Sequence, residues 1–425
     1  MTLVGILALV VALAVSIGLH ELGHMVPAKK FGVKVTQYMI GFGPTLWSRK
    51  RGDTEYGVKG VPLGGYIRMI GMFPPGPDGQ VKASSTGRLG TLIEQARAES
   101  AAEIVEPGDD KRTFYRLSAP KKLVVMLGGP VMNLLLAIVL FTIVFAGFGT
   151  PTPTTTVSTV TACVPTATDP QGQCAAGSGQ PTGAAEADLR PGDQIVAWDG
   201  VPVAEWPQLS EAIRSSGAGD HEVTVVRDGR ELAVEVPLTT VDGTLLGDSA
   251  QPRGFLGVSP VIELQPMPLT AVPGQMWDIS VRSAQALASF PAKMVGLTEA
   301  AFTDQARDPE GPVGVVGVSR ISGEVASADA PPSWRIAQFL AIVASLNLFL
   351  FLFNLLPILP LDGGHVAGAL YEGTRRQVAR WRGRPDPGPV DVARMLPVAY
   401  TVAVILIAMS VIILWADIVK PIRLG

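Results

Sequence analysis

Four stretches of the chain run almost unbroken through apolar residues, over about 3–19, 123–148, 336–361 and 396–416. A helix needs about 20 such residues to cross the hydrocarbon of a bilayer, so each stretch predicts a membrane span. The positions between them follow other periods. Residues 33–38 and 54–59 alternate apolar and polar, as half-buried strands do, on either side of a turn at Gly41-Phe42-Gly43-Pro44. Residues 61–69 follow, apolar and rich in glycine. Residues 76–112 are loop-like, with a short helix predicted over 90–104 and acidic residues at its end, and carry no evident chemistry. At Thr150 the composition turns to Thr and Pro and opens a water-facing domain over about 157–260. That domain holds a short helix over 209–215 and alternating runs on both sides of Asp228-Gly229, a hairpin signature. Residues 276–302 have the spacing of an amphipathic helix broken by Pro291, and 311–318 are too glycine-rich to assign.

The resulting class is a polytopic α-helical membrane protein with about four spans. It has a membrane-associated β-hairpin or sheet region and one small α+β domain outside the membrane. The expected boundaries are 1–30 for the first span, 31–120 for the β region and its insertion, and 121–149 for the second span. The water-facing domain takes 150–265 and an amphipathic linker 266–334. The third span takes 335–372, a basic loop 373–393, and the fourth span with its tail 394–425.

Composition agrees with this class. The chain has 425 residues, 47% hydrophobic and 17% charged, with a mean hydropathy of +0.33. That is too apolar for an ordinary soluble protein and too polar for one wholly embedded. A net charge of −3, with no basic run interleaved with aromatics, gives nucleic acid no footing. The first stretch lacks the basic start and small-residue cleavage site of a signal peptide, so we read it as retained. Lys and Arg crowd the segments between spans one and two and between spans three and four, but are sparse in the long middle region. By the positive-inside rule, both chain ends and the middle domain lie outside the cytoplasm, and the inner ends of spans one and three face it. The expected location is the plasma membrane.

The chemistry is concentrated at those inner ends. His20-Glu21-Leu22-Gly23-His24 ends the first apolar run. On a helix, His20 and His24 lie one turn apart on one face and can reach one metal ion, with Glu21 beside them as a base toward water. A helix end simply meeting headgroup water is the plainer alternative, but ionisable residues in a span are costly and usually functional. Catalytic zinc wants a third protein ligand. Asp362, at matching depth at the end of the third run, is the candidate, or alternatively an N-cap for a following helix. His365 is a second possible ligand. Asn133, beside Gly128-Gly129-Pro130, suits helix packing in lipid. The 64–69 strand could offer its edge to an unwound substrate or belong to a plain hairpin. Cys163 and Cys174, both in the outer domain, form either a disulfide or a pair of free thiols.

Taken together, these motifs resemble the site-2 proteases, intramembrane zinc metalloproteases, over nearly the whole chain. The likeness rests on His20-Glu21-Leu22-Gly23-His24, Val61-Pro62-Leu63-Gly64-Gly65-Tyr66 and Gly129-Pro130-Val131-Met132-Asn133. It extends to Leu189-Arg190-Pro191-Gly192-Asp193-Gln194-Ile195 and Gly254-Phe255-Leu256-Gly257-Val258, similar to the PDZ modules of bacterial members. It ends with Asn354-Leu355-Leu356-Pro357 and Leu361-Asp362-Gly363-Gly364. The Ala-, Gly- and Pro-rich style is nearest the actinobacterial branch. The second proline departs from the family pattern, following Ile358-Leu359 as Pro360.

The resemblance implies one Zn2+ per chain held by His20, His24 and Asp362, with Glu21 as general base. It implies that Gly64, Gly65, Tyr66, Asn354 and Pro357 bind substrate, and that Phe255, Leu256, Gly257 and Val258 form a peptide-binding loop in a PDZ-like domain above the entrance. The expected partners are the bilayer and single-span membrane proteins, such as anti-sigma factors, already cut by a site-1-type protease. A non-catalytic PDZ scaffold would have no need of Glu21 or Asp362, and a carrier would be expected to show internal repeats that this chain lacks.

Overall fold

The computed structural model describes residues 2–74, 88–104, 106–166, 179–246, 251–303, 305–309 and 311–422. These form two compact units: Met1–Gly147 with Pro268–Gly425, and Phe148–Met267.

The first unit opens with helix α1 (Thr2–Lys30). Its exposed residues Leu3, Val4, Leu7, Val11 and Val15 share one face, while Gly5, Leu9 and Ser16 are buried on the other. An apolar face left open along a whole helix is what lipid covers. Strands β1 (Val35–Arg51) and β2 (Thr54–Met69) follow. Both fold back on themselves. Residues 35–40 lie between two parts of β2, with Val35 opposite Met69 and Ile40 opposite Gly65 on one side, and Gln37 opposite Glu55 and Ile40 opposite Val58 on the other. Residues 45–51 continue the sheet beyond 54–59. Residues 65–69 therefore form an outer edge, with no further strand beside them among the described residues. Helix α2 (Arg88–Ala102) occupies the predicted short-helix region, and α3 (Ala119–Thr142) runs on as a π-helical turn to Phe148.

Helices α1 and α3 touch at glycines. A Cβ on Gly23 would collide with the carbonyl of Gly128, and one on Gly128 with that of Gly23. Small residues allow this approach where no hydrophobic force joins helices in lipid. Toward the C-terminus of α1, Met25, Ala28, Val33, Val35, Met69, Phe114, Val125 and Met126 bury one another, fixing that end of α1 against the strands and α3.

The second unit comprises β3 (Thr150–Val160), α4 (Gly183–Glu186), β4 (Gln194–Trp198), β5 (Val201–Pro202), α5 (Trp206–Ser215), β6 (Gly219–Arg227), β7 (Arg230–Asp242), β8 (Pro252–Phe255) and β9 (Val258–Gln265). Its sheet runs β8-β7-β6-β4-β3-β9, with β5 on β4. Asp228 and Gly229 both take positive φ, 52° and 75°, as a tight hairpin between β6 and β7 requires. Leu209 and Ile213 of α5 pack on Ile195, Val223, Val225 and Leu238 of the sheet. Buried Asp193 accepts from Arg227 at 2.7 and 2.6 Å, and that guanidinium holds its carboxyl below the ordinary range.

The chain returns through α6 (Val272–Phe302), α7 (Val315–Ser327), α8 (Pro332–Asn354), α9 (Asp362–Trp381) and α10 (Leu396–Val419). Among the described residues, four helical segments are long and apolar enough to cross a membrane: Thr2–Lys30, Ala119–Phe148, Pro332–Asn354 and Val392–Val419.

Three expectations need correction. Pro291 does not break α6: Met294, Leu297 and Ala301 beyond it pack against Ala416, and that burial outweighs one missing hydrogen bond. The unassigned glycine-rich stretch leads into α7, because the Asp417 carboxylate of α10 accepts from Gly314 and Gly317 N–H at 3.0 and 2.8 Å and caps the new helix. The third span stops at Asn354 instead of reaching Leu361, since Pro357 and Pro360 cannot continue a helix. A new helix starts at Asp362 and carries Arg375, Arg376 and Arg380, so the expected basic loop is partly helical. Buried Lys122 of α3 holds buried Glu372 of α9 at 2.8 Å and sets that helix in place.

Candidate metal centre

The C-terminal part of α1, the facing part of α3, the β2 edge and the start of α9 meet at one point. His20 Nε2 and His24 Nε2 lie 3.2 Å apart, and Asp362 Oδ2 is 3.3 Å from each. Among the described residues these are the only His, Cys, Asp and Glu side chains grouped to hold a metal ion. Asp362 Oδ2 is buried without a hydrogen-bond partner. Zinc ligands about 2.0–2.1 Å from the ion at tetrahedral angles lie about 3.3–3.4 Å from one another. The triangle has that size, and its orphaned carboxylate oxygen points inward, so the donor set fits zinc.

Each imidazole is oriented from behind. His24 Nδ1 lies 2.8 Å from the Val125 carbonyl and donates to it, which turns the Nε2 lone pair toward the triad. His20 Nδ1 lies 3.2 Å from the amide of Asn133, whose side chain is buried and whose other polar atom lacks a partner. The atom set toward the ring is Asn133 Nδ2; with a metal on Nε2, Nδ1 of His20 would carry its proton, and the amide turned end for end would present its oxygen to receive it. Gly129 makes room: a Cβ there would collide with the His24 ring.

Glu21 is 9% exposed, on the same turn. Its carboxylate accepts from the Ile67 backbone N–H and lies within the field of both imidazoles and Asp362. Gly65 lies against it, where a Cβ would come 3.1 Å from Glu21 Cγ and 2.8 Å from Ile17. Glu21 and the strand edge are thus one assembly.

The other sequence-predicted residues fall as follows. Gly64 has φ +127°, and Tyr66 stacks on Phe42 with centroids 6.2 Å apart. Asn354 ends α8 and Pro357 is exposed in the break after it, whereas His365 lies one turn into α9, outside the triad. In the second unit Phe255, Leu256, Gly257 and Val258 line a groove with Trp206, Ser210 and Arg214 of α5. Gly257 takes φ +88° with the Thr182 side chain pressed against it, which excludes a larger residue. Cys163 is disulfide-bonded, whereas Cys174 lies outside the described residues. His221 bonds Asp199 at 2.7 Å and stacks on Trp198.

Sequence reasoning gave Asn133 only a packing role, named Gly65 only for the substrate edge, and missed Gly129 and the Val125 carbonyl as groups that shape the site. The spacing from Gly129 to Asn133 was a usable signal, because it puts both on one face of α3. A backbone carbonyl leaves none.

Residues 8–384 match peptidase family M50. The chain belongs to that family and is a zinc metalloprotease of the site-2 class, with Zn2+ as its cofactor and several membrane spans. It is 35% identical over 440 residues to zinc metalloprotease Rip1 of Mycobacterium tuberculosis, covering 100% of this chain and 99% of the relative. Rip1 of Mycolicibacterium smegmatis is 33% identical over 438 residues, covering 99% and 98%. Metalloprotease MmpA of Caulobacter vibrioides is 26% identical over 395 residues, covering 89% of each.

Proposed function

We propose that this zinc metalloprotease cuts single-span membrane proteins, anti-sigma factors among them, within or near the membrane segment after a site-1-type protease has removed the outer part. His20, His24 and Asp362 hold the zinc. Bound zinc supplies Lewis acidity toward water and the scissile carbonyl. Glu21 takes the proton from the attacking water and passes it to the leaving amine. A helical substrate hides its carbonyls in its own hydrogen bonds, so it must unwind, and the open edge at Gly64, Gly65 and Tyr66 replaces the lost bonds. Asn354 and Pro357, in the break between α8 and α9, hold the unwound segment on the other side. The observation that carries this reading is the triangle of ligand atoms at zinc spacing beside buried Glu21, at the end of an apolar helix.

The second unit is a PDZ-like domain on the extracytoplasmic side, and its groove at Phe255, Leu256, Gly257 and Val258 takes peptide ends. The catalytic centre lies near the cytoplasmic face. Charge distribution supports this orientation, and the Cys163 disulfide agrees with an oxidising compartment for that domain. The test uses purified enzyme in proteoliposomes with one single-span substrate, intact or shortened on its outer side. The shortened form is expected to be cut inside its apolar segment, and the intact form to resist. Equal cleavage of both, or cuts confined to water-facing loops, would overturn the proposal.

Asn133→Leu separates a positioning role from packing. It keeps the volume and removes the amide, so zinc affinity is expected to fall about 10–100-fold with the fold intact. Chelator competition measures this, and unchanged affinity would leave Asn133 with packing alone.

A further inference from the structure

The helix α2 insertion, which showed no chemistry in the sequence, stands across a cleft from the open strand edge. Residues 66–69 line one side of the cleft. Ala96, Glu99, Ser100 and Glu103 line the other, joined by Leu396 and Tyr400 of α10. The four α2-side positions have the spacing of one helix face, and both ionisable groups among them are acidic. The wall is built in. Arg97, buried, pairs with Asp391 just ahead of α10, and Ser100 Oγ lies 3.3 Å from both the N–H and the carbonyl of Phe73. One cation crosses the cleft: Arg68, on the open strand, donates from Nε to Glu103 at 2.6 Å, within the field of Glu99.

An extended chain added to the 65–69 edge would run between that strand and α2, where the Arg68 side chain now lies. Arg68 must then leave Glu103, and a carboxylate in a cleft stripped of its cation invites another. We propose that Glu103, backed by Glu99, selects a Lys or Arg in the extended cytoplasmic flank of the substrate, with Arg68 as the internal stand-in when no substrate is present. This rests on the strand-edge reading above. The charge is the expected one, because single-span proteins carry Lys and Arg on their cytoplasmic flank.

The experiment uses the full-length enzyme in proteoliposomes and a single-span substrate with either Lys or Glu at its cytoplasmic flank. The native enzyme should prefer the Lys form by about fivefold in kcat/KM, the upper range for a partly exposed pair, with the preference shrinking as salt rises. Glu103→Lys should reverse the preference and Glu103→Gln should remove it, with zinc content unchanged in both. An equal Lys preference in all three enzymes would overturn the proposal. Substrate with N-methylated backbone at the flank tells the two readings apart. If N-methylation stops cleavage but the charge preference does not follow Glu103, the strand edge stands and this proposal falls. If N-methylation has no effect but the preference reverses with Glu103→Lys, the acidic wall stands and strand pairing falls.

Discussion

Glu21→Gln is expected to stop cleavage while one zinc per chain stays bound. The substitution keeps the shape of the side chain and an oxygen to accept from Ile67 N–H, so the β2 edge and α1 keep their contact. It removes only the capacity to take a proton. General bases of this kind contribute about 10²–10⁴-fold, and among the described residues the only carboxylate grouped with the two histidines is Asp362, which serves the metal. Turnover of a single-span substrate in proteoliposomes, read beside zinc content by mass spectrometry, gives both halves of the result. Activity within tenfold of native would remove Glu21 from the chemistry. Loss of zinc together with activity would make it a structural or ligating residue instead.

The second large effect concerns Asp362. Asp362→Ala leaves two imidazoles on adjacent turns and no third donor, because His365 lies outside the triad. Catalytic zinc normally takes three protein ligands, so the metal should fall from about one per chain to near none after mild chelation. The α9 helix should stay in place through the buried Lys122–Glu372 pair, 2.8 Å long, so circular dichroism and thermal unfolding without metal should change little. Full zinc occupancy in this variant would overturn the ligand assignment. Acid should release zinc from the native protein as well, because the ligands bind only in proton-free form and protons compete for them. The same titration on Asn133→Leu should show release beginning at higher pH, since His20 is then held less firmly for the metal.

The primary sequence alone determined the parts whose signal is local. Twenty apolar residues in a row make a span whatever surrounds them, and the one-turn spacing of His20 and His24 puts both imidazoles on one face by helix geometry alone. The Asp228-Gly229 turn was legible for the same reason, because two positive φ angles are needed there and these residues tolerate them. Family likeness then paired Asp362 with the two histidines over more than three hundred residues, which no local period could do.

Tertiary structure decided the rest. The third span had to end at Asn354 for Asp362 to turn inward at the head of a separate helix, a consequence of proline geometry together with the packing of α9 on α3. Asn133 and the Val125 carbonyl became orienting groups only because glycines at 23, 128 and 129 let two backbones come close enough. The start of α7 depended on a carboxylate about a hundred residues away, and α6 survived Pro291 through contacts with α10. In each case the deciding partner is distant in the chain, and its effect exists only once burial has brought the elements together.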